Sequence, residues 1–214
     1  QMRWSSNGEG VVRKSVLTLV ALLRGINVGK AKRLAMSDLR SVAEGLGWQN
    51  VATLLATGNL VFTTSGADSA NVGPRLAQTL EKALASKYGL TTRVVVLSAR
   101  EIEEVLDEMP FGPEANTPSR LMVAAYVDPG APKKLEPLMR QDWSPGALAL
   151  GRHAAYMWCP DGILDSLLVT AVARATRDGL TARNWSTWQK IHRLAAATST
   201  PAAGHRSKSD LSAG

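Results

Sequence analysis

Cysteine is almost absent: Cys159 stands alone, and histidine appears only at His153, His192 and His205. A single thiol excludes an internal disulfide, and neither residue type has the spacing of a zinc or iron site. No metal and no cofactor is therefore expected. Long apolar runs are missing too. The longest, Val16 to Leu23, is interrupted by Thr18 and closed by Arg24, well short of the roughly 20 residues that span a membrane. Arg13 and Lys14 precede it as in a signal peptide, but a charge stands where small residues would be needed for cleavage. A strand buried on both faces is the expected reading, in a cytoplasmic protein with no membrane partner. Aromatic residues are few, and Phe62 is isolated on its candidate strand. The exposed aromatic platform of an RNA-recognition module is absent.

What is present suffices for folding. With 214 residues, 45% of them hydrophobic, the chain fills one large domain or two small ones. Its net charge of +7 is polarised. From Val11 to Arg40, seven basic residues face one acidic residue, Asp38. From Arg174 onward, seven basic residues face Asp178 and Asp210. Glu101 to Glu108 instead carries five carboxylates and no base. Clustered positive charge concentrates an anionic partner, either a small molecule or nucleic acid. The carboxylate run reads as a solvated helix face.

Apolar periodicity gives an element order. A strand over 16–23 is followed by a glycine-containing loop and a helix from Ser37. Strands over 51–55 and 60–64 flank Ala56-Thr57-Gly58-Asn59, where Gly58 and Asn59 tolerate the positive φ of a tight hairpin or equally form a bulge within one long strand. A helix over 72–88 stops at Gly89, a strand covers 92–97, and Ser98 with Glu101 forms a capping box before an acidic helix. The order βαββαβ plus a helix then returns, with strands over 121–127, 147–150, 153–158 and 181–184 and helices over 133–140, 164–176 and 186–196. The fold class is α+β: two ferredoxin-like βαββαβ subdomains in tandem, each an antiparallel sheet with helices on one face. The expected boundaries are a flexible arm over 1–14, subdomains over 15–110 and 119–197, and a disordered tail over 198–214.

Three stretches offer chemistry. The loop LRGINVGKAKR presents Arg24, Gly25, Asn27, Gly29, Lys30, Lys32 and Arg33, and glycine-freed amides beside cations suit phosphate or carboxylate. It is not a P-loop, because three residues separate Gly25 from Gly29 where four are needed, and Ala31 replaces the magnesium-binding hydroxyl. In WCPDG, Asp161 is either an acid–base group or a turn residue. In TARNW, Arg183 and Asn184 are either ligand-gripping groups or, for Asn184 or Ser186, a helix cap above Trp185 and Trp188. Cys159 reads as buried filler, and His153, beside Arg152, as part of an exposed hairpin with no triad partners nearby.

The segments LVALLRGINVGKAKRLAMSDLRSVAEGLGW, ATGNLVF, WCPDGI and TARNW together resemble the domain of unknown function 1697 family of bacterial proteins, over about Val16 to Leu194. The resemblance implies a cytoplasmic bacterial protein of two small α+β subdomains and supplies no catalytic residues. Family members usually continue PDGI with Gly-Arg-Ser-Lys-Leu. This chain has Leu164-Asp165-Ser166-Leu167-Leu168, and Ala56-Thr57 where Gln-Ser is usual. If the usual basic pair held an anion, Asp165 would repel it by about 1–4 kcal/mol.

Three functions follow as expectations. The first is binding of an anionic ligand, nucleotide-like or a nucleic-acid backbone, through loop 24–33. The second is a small-molecule enzyme with its site in the crevice between the halves, using Asp161, Arg183 and Asn184. The third is a protein-interaction module or homo-oligomer, with two open sheets pairing. The second requires Arg24, Asn27, Asn59, Asp161, Arg183 and Asn184 to converge on one pocket.

Overall fold

The structure is a computed structural model that describes residues 15–27, 33–66 and 71–199. The arm over 1–14, the tail beyond Ser199, and Gly29, Lys30 and Lys32 of the basic loop lie outside the described residues.

The first half runs β1 (Val16–Leu23), α1 (Met36–Gly45), β2 (Gln49–Leu54), β3 (Asn59–Ser65), α2 (Val72–Tyr88), β4 (Val94–Ser98) and α3 (Ala99–Asp107). The second runs β5 (Leu121–Tyr126), α4 (Ala131–Leu135), β6 (Ala147–Leu150), β7 (Ala154–Trp158), α5 (Leu167–Thr176), β8 (Leu180–Asn184) and α6 (Trp185–Ser199). The sheets have strand orders β2-β3-β1-β4 and β6-β7-β5-β8, with every neighbouring pair antiparallel. That is the order a split βαβ produces: each helical crossover carries the chain past one strand, and the vacancy is filled by the hairpin partner. The protein is thus an α+β fold of two similar halves.

Alternation along β1 explains its unbroken apolar run. Leu19, Ala21 and Leu23 face α1 and α2, meeting Leu39, Val42, Ala43, Leu80 and Leu84. Val20 and Leu22 face the other way, into a core with Ile102 and Val105 of α3, Trp188 and Ile191 of α6, and Leu121, Val123 and Tyr156 of the second sheet. On that sheet's far surface, Ala124, Ala155 and Met157 meet Ala131 and Leu135 of α4 and Leu168 and Val172 of α5. The expectation of helices on one face of each sheet is therefore incomplete. The other faces turn toward each other over α3 and α6, because a sheet apolar on both sides must be covered on both. One shared central core joins the halves, and these faces are not left open for a partner. Phe62 is fully buried and stacks on Trp48 with centroids 3.9 Å apart.

Local differences have local causes. The helix expected over 133–140 is cut into α4 and a 3-10 turn at Leu138–Arg140, since Pro137 offers no amide to continue it. The helix expected from Leu164 starts at Leu167, where the Ser166 hydroxyl accepts from the Val169 amide at 3.3 Å. Leu164 and Leu167 are left 96% and 80% exposed. In the hairpin, positive φ falls on Leu55 and Gly58, not Asn59. Helix α6 continues through Thr198 and Ser199, so the expected tail boundary at 198 is two residues early.

Candidate functional site

The first sheet meets the second where β1 ends. Leu23 is the last residue of β1, and its carbonyl receives the Arg183 Nη2 at 2.8 Å and the Thr181 hydroxyl at 3.3 Å, both from β8. Arg183 also donates through Nε to Asn59 Oδ1 at 2.7 Å and through Nη2 to the Thr57 carbonyl at 2.9 Å. Its Nη1 donates to Thr181 Oγ1 and to the Ala182 carbonyl, at 3.1 and 2.8 Å. A guanidinium has five N–H donors, and here each has an acceptor. Burial lowers the Arg183 pKa to about 10, which leaves it cationic at neutral pH. Asn59 is fully buried and donates to the Leu54 carbonyl and Thr57 Oγ1.

Arg24, one residue past β1, reaches the same seam from the other side. Its Nε donates to the Leu180 carbonyl and its Nη2 to the Arg177 carbonyl, both at 3.0 Å, while Nη1 pairs with Asp178 at 2.9 Å. Asn27 sits at φ +58 and ties the mouth of its loop shut. Its amide nitrogen donates to the Leu34 and Ala56 carbonyls, and its oxygen accepts the Leu34 amide at 2.8 Å.

Between these groups lies a cavity of about 380 Å³. Gly25, Ile26 and Thr57 line it from the first half, and Met122, Met157, Val172 and Ala173 from the second, with the Arg24 and Arg183 side chains in its wall. Its lining is mostly aliphatic, and its floor is the outer face of the second sheet, which α5 leaves partly uncovered. Arg24, Gly25 and Arg183 therefore do converge, with Asn27 and Asn59 buttressing the same corner. Asn27 and Asn59 spend their polar groups on the protein itself.

The other candidates do not join them. Asp161 lines a separate cavity of about 410 Å³ with Trp143, Trp158 and the departure residues Asp165 and Leu167. Asn184 Oδ1 accepts from the Thr187 amide, the Thr187 hydroxyl and the Ser186 hydroxyl, at 3.0, 2.7 and 3.3 Å. Through that oxygen it caps α6. Cys159 is buried, which raises its thiol pKa, so it is a poor nucleophile at neutral pH.

A second polar assembly escaped the sequence reading. His153 Nε2 lies 2.7 Å from Glu104 Oε2 and its Nδ1 is 3.8 Å from Glu101 Oε1. Arg100 pairs with Glu104 at 3.0 Å, Arg152 approaches Glu104 at 3.5 Å, and the Arg152 amide donates to Glu108 Oε2 at 2.8 Å. The hydrogen bond from His153, with help from Arg100, holds the Glu104 carboxyl below its ordinary value. Three of the five carboxylates expected in solvent thus have fixed partners: Glu101 closes the capping box with Ser98, while Glu104 and Glu108 clasp the β6–β7 hairpin of the second half. Glu103 and Asp107 remain exposed. The available signal was charge complementarity, an acidic helix set opposite Arg152-His153 in a basic chain.

Comparison with known proteins places this architecture. The family described as "Protein of unknown function (DUF1697)" matches residues 16–156. The chain belongs to this family. The match includes Arg24, Asn27 and Asn59 and stops before Asp161, Arg183 and Asn184. Among solved structures, the conserved bacterial protein SP0830 from Streptococcus pneumoniae is similar, with a TM-score of 0.66 and 22% identity. The likeness covers 85% of this chain and 99% of that one, and at that identity it speaks to fold alone. No curated protein matches the sequence.

Proposed function

We propose that the chain binds a small anionic molecule with an apolar body in the crevice between its halves, and that it does so in the cytoplasm. The observation that carries this reading is one aliphatic cavity of about 380 Å³ between the halves with Arg24 and Arg183 among its lining residues. Small-molecule sites are concave and mostly apolar, with few polar groups to fix orientation. A nucleic-acid backbone would need an open cationic track, which a crevice of this size does not offer. Binding is favoured over catalysis because Asp161 lies at another cavity, Asn184 caps α6 and every donor of Arg183 is engaged. Three of Arg24's five donors are used by described residues, one of them in the ion pair with Asp178. For the location, no helix among the described residues is long and apolar enough to cross a membrane.

The fluorescent apolar anion anilinonaphthalene sulfonate tests this directly. One molecule per chain is expected to bind the folded protein, and Ala173→Phe to abolish binding without lowering the melting temperature. Ala173 is exposed on α5, lines the cavity, and its side chain supports nothing else. Undiminished binding by the Ala173→Phe protein would overturn the reading.

A further inference from the structure

Beyond the crevice, α5 ends at a strained junction. Arg177 has φ +50 and ψ −111, a region that favours glycine. The Thr176 carbonyl accepts the Gly179 amide at 2.8 Å, closing a tight turn around Arg177 and Asp178, and Arg24 holds the Arg177 carbonyl at 3.0 Å. Glycine would fit this turn without strain, yet an arginine occupies it.

Thr176 and Arg177 are also the wall shared by two cavities. One is the aliphatic crevice; the other is a groove of about 560 Å³ that includes Arg93 from the first half and Asp128, Lys134 and Asp178 from the second. The groove's carboxylates are already matched, Asp128 with Lys134 at 2.6 Å and Asp178 with Arg24 at 2.9 Å. Arg93 is held only loosely, 3.6 Å from Glu81. Arg177 is exposed and makes no ion pair among the described residues. Arg93 and Arg177, one from each half, thus both line a groove that shares a wall with an apolar chamber.

We infer that the ligand is a phosphate ester of an aliphatic alcohol, its chain in the crevice and its phosphate in the groove between Arg93 and Arg177. This rests on the crevice reading above and specifies both ends of the molecule. Paired planar guanidiniums match phosphate oxygens in a way single ammonium groups do not. The chamber argues for a saturated body over a nucleobase. Among the described residues no aromatic side chain lines it, the Thr176 and Thr181 hydroxyls donate to the Val172 and Leu23 carbonyls, and Thr57 Oγ1 already accepts from Asn59. A base would find few groups to read its edge.

Calorimetric titration of the full chain with octyl phosphate, octanoate, octanol, inorganic phosphate and ADP tests the assignment. Octyl phosphate is expected to bind at least about tenfold more tightly than any other probe, as one additional charge-assisted contact allows. Arg93→Ala should weaken octyl phosphate by about tenfold and leave octanoate unchanged, Arg177→Ala should weaken octyl phosphate by about tenfold, and Ala173→Phe should abolish both. Equal affinities for octanoate and octyl phosphate, or arginine variants without effect, would overturn the phosphate assignment and leave the crevice reading standing. Tighter binding of ADP would overturn the aliphatic body. No binding by any probe, or binding untouched by Ala173→Phe, would overturn both.

Discussion

Removing the Arg183 side chain separates a structural role from a ligand role. Its five donors meet Asn59 Oδ1, Thr181 Oγ1 and the carbonyls of Leu23, Thr57 and Ala182. In Arg183→Ala the Asn59 oxygen, in a residue with no solvent exposure, loses its partner, at a cost of about 1–3 kcal/mol. The Leu23 carbonyl keeps the Thr181 hydroxyl at 3.3 Å, and water can reach the more exposed Thr57 and Ala182 carbonyls. These losses add about 1 kcal/mol. The expected total is about 2–4 kcal/mol, which at a urea dependence of about 2 kcal/mol per molar lowers the unfolding midpoint by about 1–2 M. Arg183→Lys should recover less than half, because an ammonium has three donors and no planar fork. The assay is urea unfolding followed by tryptophan fluorescence. A midpoint shift below about 0.3 M, or complete rescue by lysine, would refute the claim that this guanidinium holds the halves together.

Two further substitutions probe other parts of the seam. Gly58 has φ +77, and a Cβ there would lie 2.7 Å from Ile26 Cδ1 and 2.8 Å from Leu23 Cβ. Gly58→Ala should therefore cost about 2–3 kcal/mol through backbone strain and overpacking, and a urea midpoint within error of the parent would show that the turn relaxes freely. Glu104 has a depressed carboxyl pKa in the folded state, chiefly through its hydrogen bond with His153. Its stabilisation is thus present above the ordinary value of 4.5 and lost as pH falls through the folded value. Glu104→Gln should be less stable than the parent at neutral pH, and the gap should close in acid; a gap constant from pH 7 to pH 3 would contradict the assignment.

Much of the fold was legible because its signals are local. The apolar run of β1, the Gly89 stop after α2 and the Ser98–Glu101 capping box each depend on residues within a few positions. Errors arose where a side chain's partner is distant. Local pattern offers Asn59 as a turn residue or a ligand contact, but its oxygen is the acceptor for Arg183, 124 positions away. Its neighbour Arg152 suggests an exposed hairpin for His153, but Glu104, 49 positions earlier, reaches it across the seam. Arg24, at the start of the basic loop, meets the closing strand at the Leu180 carbonyl, and no local pattern gives the direction of its donors.

By itself the sequence determined the two βαββαβ halves and the clustering of positive charge at either end, since periodicity and turn chemistry are properties of neighbouring residues. Only the tertiary structure decided that both inner sheet faces are covered within the chain, and that Arg183 turns its donors onto carbonyls of the other half. It also decided that Arg93 and Arg177 share a groove. Those outcomes depend on how two sheets pack over α3 and α6, and no local pattern encodes that packing.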